Sequence, residues 1–254
     1  MSDKMIQVQN VSHSYGSVDV LKSINLDIHK GEFVAIVGPS GCGKTTLLNL
    51  ISGYEKPTYG KVVQSGELRM VYQQDGLFPW LTVTENIGLG LRHINNKLEK
   101  STQIDEAIDL IGLQNFENHY PHQLSGGMRQ RVELARALTG ESDILLMDEP
   151  FSALDYLTRL KMRNELVRLL NERPRTVVLV THDIEEAAQL ADRIIPLTTR
   201  PATILNEKRI SLEKPRALTH PVVTEAIHDL LKILNPDTLS GSMENELKTQ
   251  GVEK

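Results

Sequence analysis

Several features are scarce in this 254-residue chain, and each scarcity excludes a class of protein. The single cysteine, Cys42, excludes an internal disulfide and fits a reducing cytosol. No stretch approaches the roughly 18 consecutive apolar residues of a membrane span, and the first residues, MSDKMIQVQ, lack the apolar run of a signal peptide. A net charge of −5 gives no overall electrostatic reason to bind nucleic acid. We therefore expect a soluble, intracellular, globular protein without a nucleic-acid partner.

Three short apolar runs read as strands that are buried on both faces: FVAIV at 33–37, ILLM at 144–147 and TVVLV at 176–180. Amphipathic helices alternate with them, through TTLLNLIS before Gly53 and again over 157–170. Strands that alternate with helices predict an α/β domain with a largely parallel sheet. Nearer the N-terminus, Ile24, Leu26 and Ile28 alternate with polar residues, as in a half-buried strand.

The character of the chain changes between about Thr82 and Thr139. Thr82 and Glu85 have the spacing of a capping box, and four apolar residues recur at helical spacing at 104, 107, 108 and 111. No strand pattern interrupts the block, so it is predicted to be a helical subdomain. After Pro215 we expect one helix near residues 222–233 and a mobile polar tail over 240–254.

A glycine-rich loop follows the first buried strand and opens a helix. It matches the phosphate-loop pattern G-x-x-x-x-G-K-[ST] in full, with the residues Gly38, Pro39, Ser40, Gly41, Cys42, Gly43, Lys44 and Thr45. Glycines allow close approach of the backbone, so that amide groups and the helix N-terminus point at phosphate oxygens. The Lys44 ammonium suits the β- and γ-phosphates, and the Thr45 hydroxyl suits Mg²⁺. The loop predicts a site for ATP.

Two carboxylates end the strand ILLM. Asp148 is expected to lie beside the metal, with water between them, and Glu149 is placed to polarise the attacking water as a general base. Two acidic residues after a strand could also cap the next element. Their combination with a phosphate loop favours catalysis.

A second glycine pair opens a later helix, in QLSGGMRQR at 123–131. Ser125 can cap that helix, and Gly126 and Gly127 would leave its first amides free for an anion, although glycine weakens a helix. Together with the phosphate loop, LLMDEPFSALD and VTHD, in that order, this motif resembles the ATP-binding cassettes of ABC ATPases over nearly all of residues 5–210.

The resemblance implies a P-loop NTPase (RecA-like) core with an antiparallel β-subdomain at its edge and an inserted helical subdomain. It divides the chain into the first part of the core (1–78), the helical subdomain with the Ser-Gly-Gly signature (79–139), the second part of the core (140–212), and a C-terminal helix and tail (213–254). It also implies a head-to-tail dimer of two cassettes, identical or paralogous. In that dimer Ser125, Gly126 and Gly127 of one subunit face the γ-phosphate held by Lys44 of the other.

Further site residues come from the resemblance alone. Tyr15 would stack on adenine, and Thr46 would join the phosphate loop in binding ATP. Gln73 would reach both Mg²⁺ and the attacking water. Asp155 would cross the dimer interface, and His182 would contact the γ-phosphate. By position alone, the preferred interpretation of His182 is a polar strand-end residue before a helix capped by Asp183 and Glu186.

The segment LFPWLTV, read with GPSGCGKTTLLNL and THDIEEA, resembles the nitrate, sulfonate, taurine and bicarbonate importer cassettes. Phe78 and Trp80 would then line a groove for a coupling helix of a membrane subunit, although either could be a core residue. The implied partners are permease subunits and an extracytoplasmic solute-binding protein, with the cassette peripheral to the cytoplasmic face of the membrane. The stretch 60–71 is shorter than in most relatives. An exporter or lipid-trafficking cassette, or a soluble ABC ATPase, remains an alternative, and the sequence does not name the solute.

Cys42 lies inside the phosphate loop. Helix N-terminal amides and Lys44 would favour its thiolate, so we expect a reactive cysteine that bound nucleotide protects from alkylation. The alternative is a small, buried, inert thiol.

Overall fold

The computed structural model of the chain describes residues 3–73 and 76–234, in which the strands form two sheets. The strands are β1 Lys4–Tyr15, β2 Val18–His29, β3 Phe33–Val37, β4 Tyr59–Gln64, β5 Leu68–Val71, β6 Ile144–Asp148, β7 Thr176–Thr181, β8 Arg193–Pro196 and β9 Lys208–Arg209. The helices are α1 Lys44–Ser52, α2 Val83–Gly88, α3 Lys97–Ile111, α4 Gly126–Thr139, α5 Tyr156–Glu172, α6 Ile184–Leu190 and α7 Pro221–Leu234, with a 3₁₀ turn at Pro121–Gln123. The expected α/β fold is confirmed.

The larger sheet has six strands in the order β5-β6-β7-β3-β8-β9, parallel from β5 to β8. Every residue of β3, β6 and β7 is buried, as their continuous apolar runs predict for strands covered on both faces. Val37, at the end of β3, lies opposite Thr181 of β7 and Pro196 of β8. The segments that follow these strands therefore meet at one edge of the sheet, where α/β proteins bind ligands.

The smaller sheet is antiparallel, with the order β2-β1-β4. Alternate residues of β3 face two cores: Val34 and Ile36 pack toward this sheet and α1, and Phe33, Ala35 and Val37 pack on the opposite face with the helices. The sequence reasoning did not find β4, β8 or β9. Strand β4 is almost entirely exposed and carries no apolar pattern, while β8 and β9 are very short.

Helices α2, α3 and α4 lie between β5 and β6 in the chain, and no described residue from 79 to 139 is in a strand. The capping box of α2 is confirmed, since the Glu85 amide donates to Thr82 Oγ1 at 3.3 Å and the Thr82 amide donates to Glu85 Oε2 at 2.8 Å. The C-terminal end of α4 is bound to the core by Arg175, whose guanidinium donates to the carbonyls of Ala137, Leu138 and Gly140. The C-terminal end of α4 is thus bound to the residue that precedes β7 of the larger sheet.

The expected C-terminal helix is α7, which packs against α6 and β8 and buries Val223, Ala226 and Leu230. The tail over 240–254, expected to be mobile, lies outside the described residues. Within 3–73 and 76–234, no helix is both long and apolar enough to cross a bilayer.

Candidate functional site

The phosphate loop, residues 38–43, joins β3 to α1 at the edge where the parallel strands end. Gly41 and Gly43 have φ of +74° and +119°, a backbone conformation that residues with a side chain rarely adopt. A Cβ on Gly43 would also lie 2.7 Å from Val20 Cγ1, so the loop packs directly on β2. These glycines let the loop curl over the N-terminus of α1, which starts at Lys44 and presents its first amides to the loop.

Lys44 is buried, and its ammonium donates to the carbonyls of Gly38 at 2.9 Å and Pro39 at 3.0 Å. The loop itself therefore orients this charge. A cavity of about 530 Å³ opens beside it, large enough for a nucleotide. Its lining residues come from six segments of the chain: Tyr15, Val20, Ser40, Gly41, Gly43, Lys44, Thr45, Thr46, Gln73, Glu149, His182 and Arg200.

The Glu149 carboxylate is contacted by two other side chains that the sequence predicts to belong to the site. His182 Nδ1 lies 3.1 Å from Glu149 Oε1, and Gln73 Nε2 donates to Glu149 Oε2 at 3.2 Å. Glu149 also has a φ of +47°, which is rare for a residue with a side chain. Its backbone is held from two sides, because its amide donates to Val180 and its carbonyl accepts from Gln130 Nε2 at 3.0 Å. The carboxylate is fixed in position and points into the cavity.

Asp148 lies one residue earlier and is buried at the end of β6. Burial raises the pKa of its carboxyl, a hydrogen bond from Thr45 opposes that shift, and the Glu149 charge adds to it. Its Oδ1 atom is buried without a hydrogen-bond partner among the described residues. A buried carboxylate oxygen without a partner, next to a threonine hydroxyl, is the kind of donor set that suits a hydrated Mg²⁺ ion.

Tyr15 is 49 % exposed at the end of β1 and lines the same cavity. Its hydroxyl donates to Glu55 Oε2 at 2.5 Å, and its ring meets His13 edge-on at 4.7 Å. Burial opposes ionisation of Glu55, but hydrogen bonds from Tyr15 and Asn49 outweigh it and hold the pKa of that carboxyl below its ordinary value. The hydroxyl is therefore tied back, which leaves the ring as the part of Tyr15 that a ligand can contact.

The signature residues lie apart from this cavity within the one chain. Ser125 caps α4 as expected, because its Oγ accepts from the Met128 amide at 3.2 Å. Gly126 borders a different cavity, together with Gln73 and Ala153. A Cβ on Gly127 would lie 3.0 Å from the Ala153 carbonyl oxygen, so any larger residue would force the SALD segment to shift slightly. Packing thus supplies a reason for Gly127 that does not involve an anion.

Asp155 caps α5 from its exposed first turn, and its Oδ1 accepts from the Thr158 amide at 3.1 Å. The Thr158 side chain and amide lower the pKa of the Asp155 carboxyl. Further along α5, Arg163 is buried and donates to Asp183 Oδ2 at 2.6 Å. Asp183 directly follows His182 and caps α6, so helix α5 holds the segment that carries this histidine.

The expectation of a reactive Cys42 is wrong. The side chain is 2 % exposed and packs in the core between the loop and the small sheet. Burial raises the pKa of its thiol, and the opposing effects of the Lys44 charge and the nearby amides do not overcome it. The inert, buried alternative describes this thiol, which contributes to the site through packing.

Two residues of the site escaped the sequence reasoning. Arg200 lines the nucleotide-sized cavity and its Nε donates to the Gly41 carbonyl. Gln130 ties α4 to the segment after β6 by donating to the Glu149 carbonyl and accepting from the Ala153 amide at 3.0 Å. Gln130 lies within QLSGGMRQR, but that motif alone assigned no contact to it, and Arg200 lies outside the motifs identified above. The signal for Arg200 was topological, since a segment that follows a strand parallel to β3 must end beside the phosphate loop.

Phe78 and Trp80 lie on the surface, 40 % and 68 % exposed, with ring centroids 5.4 Å apart. The Arg136 guanidinium of α4 lies over the Phe78 ring at 5.8 Å. The alternative that these aromatics belong to the core therefore does not describe Trp80. They form an exposed aromatic pair on the helical part of the chain.

Known proteins that are similar to this chain in sequence or structure are ABC transporter proteins and ATP-binding cassettes. Residues 21–152 match the family model described as ABC transporter. An aliphatic sulfonates import ATP-binding protein of Rhodococcus jostii is 45 % identical over 220 residues, which cover 83 % of this chain and 85 % of that protein. A taurine import ATP-binding protein of Jannaschia sp. is 41 % identical over 219 residues, 81 % of this chain and 82 % of that protein. A solved dimeric structure of a post-hydrolysis state of an ATP-binding cassette, bound to ADP and Pi, has a TM-score of 0.73 at 36 % identity, covering 82 % of this chain and 100 % of that one.

Proposed function

This chain belongs to the ABC transporter family, and on that premise we propose that it is the ATP-hydrolysing subunit of an importer for a small anion such as a sulfonate, taurine, nitrate or bicarbonate. The family resemblance of its motifs is confirmed, as is the P-loop NTPase fold that the resemblance implied. The observation that carries the proposal is the convergence of Gln73 and His182 on the Glu149 carboxylate beside the phosphate loop.

Each end of the cavity suits one end of ATP. The exposed ring of Tyr15 offers a stacking surface to the adenine, since its hydroxyl is bound by Glu55. At the other end, Lys44 and the first amides of α1 offer positive charge and hydrogen-bond donors to the phosphates. Residues 38–46 would hold the triphosphate between the two.

Glu149 would take a proton from the attacking water. The fixed backbone and two side-chain contacts keep one carboxylate orientation, so little reorganisation is needed when water binds. Gln73 would orient the same water, and His182, whose imidazole is largely exposed, would contact the γ-phosphate. In phosphoryl transfer of this type, the protein would accelerate the reaction mainly by positioning the water and stabilising charge, without forming a covalent intermediate.

Mg²⁺ fits the donors that the chain presents. Thr45 and Gln73 would contact the ion directly and Asp148 through water, which would give the partnerless Oδ1 of Asp148 a hydrogen-bond donor. When bound, the ion would neutralise charge on the phosphate chain.

The signature residues would act on the ATP of a second cassette. Ser125 to Gly127 do not line the cavity of their own phosphate loop, which supports action in trans. Gly126 lies at the first turn of α4, where a helix N-terminus attracts anions, and Asp155 is exposed at the first turn of α5, where it could cross to the neighbour. The dimer would therefore enclose two ATP molecules between opposed half-sites.

The membrane assignment concerns partners. The cassette would sit at the cytoplasmic face of the membrane, bound to permease subunits, with an extracytoplasmic solute-binding protein delivering the anion. The test is to purify the tagged chain from membranes of its source, identify the proteins that accompany it, and reconstitute the complex in vesicles. ATP-driven uptake of labelled taurine, an alkanesulfonate, nitrate or bicarbonate supports the proposal. Export of solute, or a complex without membrane subunits, overturns the import assignment.

A further inference from the structure

From the position of Arg200 we propose that this arginine is a second cationic ligand of the nucleotide phosphates, alongside Lys44. The inference rests on the proposed ATP site. Arg200 belongs to the segment after β8 and lines the cavity that contains Lys44, Thr45 and Thr46. No motif of the sequence assigns it a role.

The segment that carries Arg200 is anchored on both sides. The Ala202 amide donates to the Val20 carbonyl at 2.8 Å, and the Lys22 amide donates to the Ala202 carbonyl at 2.9 Å. Val20 in turn packs on Gly43 of the phosphate loop. The turn also closes on itself, because the Thr203 amide donates to Thr198 Oγ1 at 2.9 Å. Arg200 therefore projects from a braced turn beside the phosphate loop.

Within the described residues, the guanidinium of Arg200 is held at one atom, Nε. Its Nε donates to the Gly41 carbonyl, and its Nη2 lies so close to Gly41 that a Cβ there would be 3.1 Å away. Among residues 3–73 and 76–234, no carboxylate lies within ion-pair distance of Arg200, and neither terminal amino group has a hydrogen-bond partner. Arg200 is exposed at the loop, and the described part of the chain places no counter-charge beside it.

This arrangement suits a phosphate oxygen better than it suits a protein partner. A guanidinium carries five donors in a planar fork, and an Nε bond to a carbonyl leaves the outer donors to bind an anion. Glu149 also lines this cavity, so a second cation there would help offset its negative charge when a highly charged anion binds. Lys44, bound by the Gly38 and Pro39 carbonyls, would supply one charge and Arg200 the second.

The test measures equilibrium binding of ADP and of adenosine to the full chain by calorimetry, at low and at high salt. The variants are Arg200→Ala, Arg200→Lys and, as a control with the same charge change, Arg209→Ala, whose exposed side chain lies in β9 outside the cavity. Thermal unfolding of each variant checks that the fold is intact.

We expect Arg200→Ala to weaken ADP binding by about tenfold at low salt and by less at high salt, since a charge-assisted contact at an exposed site is screened. Arg200→Lys should retain part of the affinity, and adenosine binding and the Arg209→Ala variant should match the wild type. An equal loss of ADP and adenosine affinity would show that Arg200 only braces the loop, and unchanged ADP affinity would also overturn the proposal. Failure of the wild type to bind ADP would instead contradict the proposed ATPase function.

Discussion

Glu149 and His182 lie 33 residues apart in the chain, yet His182 Nδ1 is 3.1 Å from Glu149 Oε1. Strands β6 and β7 are parallel neighbours, with Asp148 paired to Val180, so the residues just after each strand meet at the sheet edge. The pairing therefore follows from topology. It gives Glu149, the proposed general base, a partner that would also contact the γ-phosphate in the proposed mechanism.

Glu149→Gln should bind ATP with near wild-type affinity but hydrolyse it at least about 100-fold more slowly, because the amide cannot accept the proton of water. ATP should then hold the variant as a dimer, visible by gel filtration. Glu106→Gln, on the exposed face of α3, is the matched control and should hydrolyse normally. Normal turnover by Glu149→Gln would remove Glu149 from the role of base.

Mixing two inactive variants tests whether each ATP site is built from Lys44 of one subunit and Ser125 of the other. Ser125→Arg places a bulky cation at the first turn of α4, and Lys44→Ala removes the charge that we propose binds phosphate. Each variant alone should lose ATPase activity. If Ser125 acts in trans, a mixed dimer contains one intact site, and activity should reappear on mixing provided that one site suffices. An ATP-bound structure in which Ser125 contacts the nucleotide of its own subunit would contradict action in trans.

Most of the core fold could be predicted from local patterns, because buried parallel strands such as β3 and β7 are mainly apolar and the full phosphate-loop pattern is specific. The exposed β4 and the short β8 could not, since neither buries a periodic face of useful length. The same limit applied at the site. Glu149 and Lys44 follow from motifs, whereas Arg200 reaches the loop only through the pairing of β8 with β3.

For Cys42, the sequence predicts the neighbouring charges but not how deeply the thiol is buried. Sequence position gave correct neighbours, Lys44 and the loop amides, but not the burial that outweighs them. We therefore expect iodoacetamide to label native Cys42 at neutral pH at least about tenfold more slowly than the unfolded chain, since thiolate formation is opposed and local opening is required. Because the chain has one cysteine, mass spectrometry reads the reaction directly. Equal labelling rates in the folded and unfolded chain would contradict the buried thiol.

Glu186 should make stability depend on pH. Its carboxyl is buried on α6, accepts from Thr181 Oγ1 at 2.7 Å and lies 3.5 Å from the Arg163 guanidinium, with Asp183 and Arg159 also nearby. Burial raises its pKa from 4.5 to about 7, more than the Arg163 charge lowers it. Between those values the folded chain binds more protons than the unfolded chain, so stability falls as the pH rises.

Urea unfolding at pH 5 and pH 8 measures this effect. Relative to Glu186→Gln, which does not titrate, the free energy of unfolding of the wild type should fall by about 1 to 3 kcal/mol over that range. Glu185→Gln changes the exposed neighbour on the same helix and should behave like the wild type. If Glu186→Gln shows the same pH dependence as the wild type, the buried carboxyl does not titrate in this range.

Substitution of Phe78 and Trp80 tests whether this exposed aromatic pair couples ATP binding to the membrane subunits. The two residues follow Gln73 closely in the chain, and Gln73 contacts Glu149. The Phe78 ring also lies under the Arg136 guanidinium of α4. Closure of two cassettes on ATP would move the helical part of the chain, and with it a coupling helix docked on this pair. Trp80→Ala, or Phe78→Asp, should therefore reduce co-purification with the permease subunits and solute uptake. ATP hydrolysis by the isolated chain should stay within about twofold of the wild type, because changing exposed side chains costs little stability.

Leu98→Ala, which changes another exposed apolar residue on α3, is the matched control for non-specific surface effects and should transport normally. A parallel loss of ATPase activity and thermal stability in Trp80→Ala would show that the pair supports the fold instead, and full transport by both variants would place the docking site elsewhere on the helical part of the chain.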